Sequence, residues 1–139
     1  MTKNYALITG STAGIGLDIA RELASRGHNI LLTARREDRL KDIAGQLTLD
    51  FGVHADYVVA DLSESSAPGT IFNFCDTHQY VVNILVNNAG YSINKKFHET
   101  GEEEEEKFLR VLGTSVVALT KRFIPGMLKQ QSGKIMLVS

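Results

Sequence analysis

Five short apolar runs set the rhythm of this chain, separated by longer stretches in which apolar residues return every three or four positions. The first run, Tyr5 to Ile8, predicts a strand, and Ile15, Ile19, Ala20 and Leu23 then recur at helical spacing. Gly27 stands where a left-handed cap would end that helix near Arg26. Asn29 to Thr33 reads as a second, buried strand. From Arg36 to about Leu49, the positions Leu40, Ile43, Ala44 and Leu47 share one helix face. His54 to Ala60 is the third expected strand, with a helix from Ser65 to about His78, and Val82 to Val86 is the fourth. A long helix is expected between Glu102 and Lys129, interrupted or ended near Pro125-Gly126, before a fifth strand from Lys134 to Val138. No linker, repeat or low-complexity stretch breaks the alternation. This order implies an α/β fold: a doubly wound parallel sheet of about five strands, with right-handed crossovers and helices on both faces.

In such a sheet, ligands bind beyond the carboxyl ends of the strands. There the chain carries Thr9-Gly10-Ser11-Thr12-Ala13-Gly14-Ile15-Gly16, between the first strand and its helix. A chain turning from strand to helix passes through conformations that a Cβ disfavours, and a bound pyrophosphate must approach the main chain closely. The helix that follows offers unpaired N–H groups and the positive end of its dipole to an anion. Glycines also make ordinary turns, but strand, glycines and helix in register point to a nucleotide site. Asn87-Asn88-Ala89-Gly90 follows the apolar stretch Ile84 to Val86, and Asp61-Leu62 closes the third strand.

The Gly-xxx-Gly-x-Gly spacing, with its preceding Thr, differs from the common G-x-G-x-x-G fingerprint. It resembles the first signature of the short-chain dehydrogenase/reductase family, and Asn87-Asn88-Ala89-Gly90 resembles the second. The resemblance implies a Rossmann-like, nicotinamide-cofactor-binding domain over residues 1–139. It assigns cofactor contacts to Gly10, Ser11, Thr12, Gly14, Ile15 and Gly16, adenine contacts to Asp61 and Leu62, and further contacts to Asn88, Ala89 and Gly90. It also implies that the chain matches only the front portion of the family fold, which normally adds two more strands with their helices.

Cofactor choice is read at the end of the second strand. An enzyme selecting NAD usually places an acid there to hold the adenine ribose hydroxyls. This chain reads Thr33-Ala34-Arg35-Arg36-Glu37-Asp38. A guanidinium is a planar fork of donors suited to a phosphate. NADP(H) is therefore expected, with Arg35 as the main contact and Arg36 in support. The alternative is that both arginines solvate a helix start by pairing with Glu37 and Asp38. NADP-preferring relatives often carry a second basic residue before the middle glycine; here that residue is Ala13.

The chemistry departs from the family. The resemblance implies hydride transfer between the cofactor and a small carbonyl or alcohol. The acid–base Tyr has a Lys four residues on, a Ser at the end of the fifth strand binds the substrate oxygen, and an Asn on the long helix completes a proton relay. A free phenol titrates near pH 10, about three units from neutrality, so such a tyrosine needs help. Of Tyr5, Tyr57, Tyr80 and Tyr91, only Tyr91 has a Lys at that offset, Lys95. That pair abuts the Asn-Asn-Ala-Gly segment in a loop, whereas the family's pair shares a helix face beyond the fifth strand. Ser139 is the one candidate catalytic residue in place; the family often carries two serines there, the second commonly the catalytic one, so the alternative is that Ser139 is the neighbour of that residue. No Asn occurs between Glu102 and Ser139, so Leu112, Thr114 or Ser115 takes the position of the family's Asn.

Composition narrows the alternatives. At 139 residues the chain is one domain large enough for a core, and a net charge of −1 gives no case for nucleic acid or an anionic membrane surface. The first strand begins at once, so no signal peptide is expected, and no apolar run approaches membrane-spanning length. A single cysteine, Cys75, suits a reducing cytoplasmic setting and reads as an apolar filler on a helix. Glu102 to Glu106 favours a helix start and is otherwise a solvated face. His28, His54, His78 and His98 lack ligand-like spacing, so no metal is expected. Val111, Val116, Val117, Leu119 and Phe123 of the long helix read as core or interface. Together with a fifth strand left at a sheet edge, they predict a homo-oligomer or binding to a complementary piece. Two readings result: an NADP(H)-dependent oxidoreductase whose 139 residues alone do not turn over, or a nucleotide-binding or interaction protein without catalysis.

Overall fold

The computed structural model describes residues 3–139. Its elements are β1 (Lys3–Thr9), α1 (Gly14–Ser25), β2 (Asn29–Ala34), α2 (Glu37–Phe51), β3 (Ala55–Val59), α3 (Ala67–His78), β4 (Tyr80–Asn87), α4 (Glu102–Leu109), α5 (Ser115–Gln130) and β5 (Lys134–Leu137). One sheet holds all the strands in the order β3-β2-β1-β4-β5, and every pair is parallel. Strand order reverses between β1 and β4, so the carboxyl ends of these two strands open the crevice in which such sheets bind ligands.

Side chains alternate across a strand, and β1 feeds two separate cores. Tyr5 and Leu7, with Leu31 and Leu85, meet Ile71 and Cys75 of α3 and Leu119 and Phe123 of α5. Ala6 and Ile8, with Ile30 and Leu32, meet Ala20 and Ala24 of α1 and Leu40, Ala44 and Leu47 of α2. Burial on both faces is why β1 and β2 appear in the sequence as unbroken apolar runs. Burial also pushes the Cys75 thiol up to about 12, leaving it protonated and inert as a filler should be.

The expected cap of α1 forms: Gly27 lies at φ 87°, its N–H meets the Ala24 carbonyl at 2.9 Å, and the His28 N–H meets that of Leu23 at 3.1 Å. The long helix departs from expectation. It runs through Pro125 and Gly126 to Gln130, where Gln131 turns left-handed at φ 54°. Pro125 is exposed, so the carbonyl it leaves without a donor faces water. The irregularity falls earlier, where Arg110–Thr114 winds as a π-helix between α4 and α5. By length and composition the whole stretch Glu102–Gln130 would suffice to cross a membrane, contrary to the sequence expectation. In the fold, Val111, Ser115, Leu119, Phe123 and Met127 bury one side of it in the protein core.

β5 lies at the sheet edge, with Ile135, Met136 and Leu137 exposed. At the amino ends of the strands, away from the crevice, Tyr5 stacks on Tyr80 with ring centroids 4.1 Å apart. There the Tyr80 hydroxyl donates to Asp56 Oδ2 at 2.7 Å, and the Tyr5 hydroxyl meets His54 Nδ1 at 2.5 Å.

Candidate functional site

Beyond Thr9 the chain turns sharply into α1. Gly10 adopts φ 64°, and its N–H reaches across to the Thr33 carbonyl at 3.0 Å. A Cβ at Gly10 would stand 2.8 Å from Ala89 Cα, and one at Gly16 would stand 2.4 Å from both Asn88 Nδ2 and the Gly10 carbonyl oxygen. Any side chain at these two positions would separate the loop from β4. Gly14 has open space around it and is required instead by its φ of 58°.

The two Gly-containing motifs form one interlocked unit. Thr9 Oγ1 accepts the N–H groups of Asn88 at 3.0 Å and Ala89 at 2.9 Å. In return, Asn88 Nδ2 donates to the carbonyls of Thr9 at 3.2 Å and Gly10 at 3.1 Å. The Asn88 amide is thus engaged by the loop backbone, and the surface that Asn88 and Ala89 offer to a ligand is largely their own backbone. The bracing role of Thr9 went unassigned by sequence reasoning; the only signal was its place immediately before Gly10.

The amino end of α1 is left open. Its N-cap, Ala13, makes no side-chain cap, and no acid stands in the first turn. The first-turn N–H groups and the positive end of the dipole therefore face the loop concavity without a competing anion. Ser11 is buried and directs its hydroxyl toward the Thr33 carbonyl at 3.5 Å, so it too offers a ligand mainly backbone. Thr12 is half-buried, while Ile15 projects with 60% of its surface exposed.

The arginines after β2 behave differently from one another. Arg36, the N-cap of α2, pairs with Asp38 at 2.9 Å, as the helix-solvating alternative requires. Arg35 is exposed and has no ion pair among the described residues. Sequence reasoning passed over Arg39, whose Nη2 donates to the Thr12 carbonyl at 2.9 Å. Its signal was a third guanidinium one turn beyond Arg36.

At the end of β3, partial burial pushes the Asp61 carboxyl up. Hydrogen bonds to its Oδ1 from the Ser63 hydroxyl at 2.7 Å and the Ser63 N–H at 2.9 Å act the other way. With the nearby charges of Arg35 and Lys107, they hold Asp61 below the ordinary carboxylate range. Leu62 is buried in the core beside it.

The structure discriminates among the residues considered for chemistry. A Cβ on Gly90 would lie 3.0 Å from Leu112 Cδ2, so of the three substitutes for the family's Asn it is Leu112 that stands against the Asn-Asn-Ala-Gly segment. Thr114 lies in a separate groove with Glu64, Ser65, Pro68 and Arg110, and Ser115 turns its hydroxyl back to the Val111 carbonyl at 2.8 Å. Tyr91 packs edge-on against Phe108 with centroids 5.3 Å apart, while Lys95 pairs with Glu104 at 3.2 Å. These contacts hold Tyr91 and Lys95 against α4. Ser139 is exposed just past β5, and the Val138 N–H bonds the Asn87 carbonyl at 3.0 Å, which places the end of β5 beside the same segment.

The family pattern described as short chain dehydrogenase matches residues 4–139. The chain is 36% identical to the 3-oxoacyl-acyl-carrier-protein reductase of Aquifex aeolicus, over 96% of this chain and 54% of that protein. It is 32% identical to the very-long-chain 3-oxoacyl-CoA reductase of Anas platyrhynchos, over 97% of this chain and 44% of that protein. Among solved structures, L-sorbose reductase from Gluconobacter frateurii, in complex with NADPH and L-sorbose, superposes with a TM-score of 0.91. It is 33% identical, over 99% of this chain and 52% of that one. A short-chain dehydrogenase from Sphingobium yanoikuyae in complex with NADPH gives a TM-score of 0.88 at 28% identity, over 96% and 52% of the two chains. The chain spans about half the length of the curated relatives it matches, and it belongs to the short-chain dehydrogenase family.

Proposed function

We propose that this chain binds NADP(H) and supplies the cofactor-binding part of an oxidoreductase acting on a small carbonyl or alcohol. The observation that carries the reading is the open amino end of α1, framed by Gly10 and Gly16 where no Cβ fits, with Arg35, which has no ion pair among the described residues, after the neighbouring strand. The backbone from Gly10 to Gly16, including Ser11, Thr12, Gly14 and Ile15, wraps the diphosphate. Arg35 meets the 2′-phosphate. Arg36, already committed to Asp38, contributes only its charge. Asp61 and Leu62 take the adenine, and Asn88, Ala89 and Gly90 line the nicotinamide side. The NADPH and NADP complexes of structural relatives support this assignment.

Held by these residues, NADP(H) would supply hydride-transfer chemistry. Ser139 holds the substrate oxygen. The 139 residues include no Tyr and Lys on a helix after β5, and Leu112 offers no amide where the family uses an Asn. The 139-residue polypeptide alone is therefore a nucleotide binder without turnover. Val117 and Leu128, exposed on α5 at 60% and 72%, support association with a second copy through this helix; sedimentation as a monomer at micromolar concentration would reject that. A cytoplasmic setting suits the single, buried Cys75.

Titration calorimetry with NADPH and NADH, for the wild type and Arg35→Asp, tests the central claim. Losing a charge-assisted contact and adding repulsion costs about 2–4 kcal/mol, so NADPH affinity falls by roughly 30- to 1,000-fold while NADH changes little. Equal weakening of both nucleotides rejects the phosphate role. Turnover of ketones, quinones or aldehydes by the 139-residue chain would overturn the non-catalytic part.

A further inference from the structure

We propose that Arg39 is a specificity-determining residue of the nucleotide site, closing the 2′-phosphate subsite from the α2 side; this rests on the NADP(H) reading above. If the Gly loop holds the diphosphate and Asp61 the adenine, the adenine ribose lies between the Gly loop and the corner joining β2 to α2. Arg39 spans that gap: it stands in the first turn of α2, and its Nη2 donates to the Thr12 carbonyl at 2.9 Å. Every residue from Gly10 to Gly16 is uncharged, and Arg39 brings a positive charge to the loop wall of the gap through its bond to the Thr12 carbonyl.

The two acids that precede Arg39 in α2 are engaged elsewhere. Asp38 is engaged by Arg36 at 2.9 Å, and Glu37 accepts the Tyr57 hydroxyl at 3.3 Å. Arg39 is exposed and has no ion pair among the described residues. One of its five donors reaches Thr12, and the others remain for a ligand. Arg35 and Arg39 are then two guanidiniums bordering one gap, neither in an ion pair among the described residues, although Arg35 also lies near the Asp61 carboxylate. Such a pair favours a phosphate dianion over two ribose hydroxyls, because each cation adds charge-assisted bonds that only the phosphate can accept. The bond to Thr12 also positions the guanidinium before the ligand arrives, lowering the entropy lost on binding.

The test is calorimetric titration of the whole chain, as wild type, Arg39→Gln and Arg39→Lys, with NADPH and separately with NADH. Arg39→Gln keeps a donor for the Thr12 carbonyl but removes the charge. It is expected to weaken NADPH about tenfold or more while changing NADH less than about twofold. Arg39→Lys keeps the charge and should recover part of the NADPH affinity, with weaker dependence on geometry. Equal loss for both nucleotides would reduce Arg39 to a loop brace and overturn the proposal, as would no loss at all. A wild type without preference for NADPH would reject the NADP(H) reading itself. A wild-type preference that survives intact in Arg39→Gln would reject only the role of Arg39.

Discussion

Thr9→Val removes one hydroxyl at almost constant side-chain volume and so isolates the interlock between the Gly loop and β4. Thr9 is 1% exposed, and its Oγ1 accepts two backbone N–H groups at 3.0 and 2.9 Å. Its own donation to the Val86 carbonyl is 3.5 Å long and contributes little. In the valine variant both amides face a methyl group. An unsatisfied buried donor costs about 1–3 kcal/mol. Asn88 and Ala89 are half-buried, so water recovers part of that, and the low end of the range applies to each. The sum is about 2–3 kcal/mol, a substantial part of a domain's typical stability of roughly 5–15 kcal/mol. In a domain of this size about 1 kcal/mol shifts Tm by roughly 3 °C, so a fall of about 6–9 °C is expected. Thr9→Ser keeps the acceptor and loses one methyl, at a cost of about 1 kcal/mol, or roughly 3 °C. Thermal unfolding followed by circular dichroism compares the two variants directly. If Thr9→Val melts no lower than Thr9→Ser, the two amides do not depend on Oγ1 and the interlock is not what shapes the loop.

Gly16→Ala is expected to reduce NADPH affinity by about tenfold or more, because its Cβ would meet the Gly10 carbonyl oxygen at 2.4 Å and force the loop outward. Alanine is also the better helix former by about 1 kcal/mol, so Tm should fall far less than affinity; unchanged affinity in calorimetry would refute the close-approach argument. A second expectation concerns alkaline stability. Burial, with the adjacent Asp56 and Tyr5, pushes the Tyr80 phenol up from its ordinary value of 10.0. The native state then keeps a proton that the unfolded chain releases, so this contribution is whole below pH 10.0 and is lost as pH rises above it. Urea midpoints should therefore fall less steeply above about pH 10 in Tyr80→Phe than in wild type, and parallel curves would reject this assignment.

Much of the architecture was legible from spacing because strands and helices bury different periodic sets. The unbroken apolar runs of β1 and β2 mark strands covered on both sides, and Gly27 marked its helix end, since both signals are local. Local signals misled at Pro125. The missing N–H there falls on an exposed turn, and packing of Leu119, Phe123 and Met127 carries the helix onward. The π-helical stretch Arg110–Thr114 had no counterpart in the pattern of apolar residues.

At the site, the sequence alone determined which backbone features a nucleotide would need: the glycines, the uncapped start of α1 and a basic corner after β2. Only the tertiary structure decided how they are used. It separated Arg36, tied to Asp38, from Arg35, which has no ion pair among the described residues, and it brought Arg39 to Thr12. It also placed Leu112 rather than Thr114 or Ser115 against Gly90. Thr9 and Asn88 are 79 positions apart, yet each satisfies the other's backbone because β1 and β4 are neighbours in the sheet. Spacing along a chain encodes which face a residue occupies, whereas strand order decides which distant donors and acceptors meet.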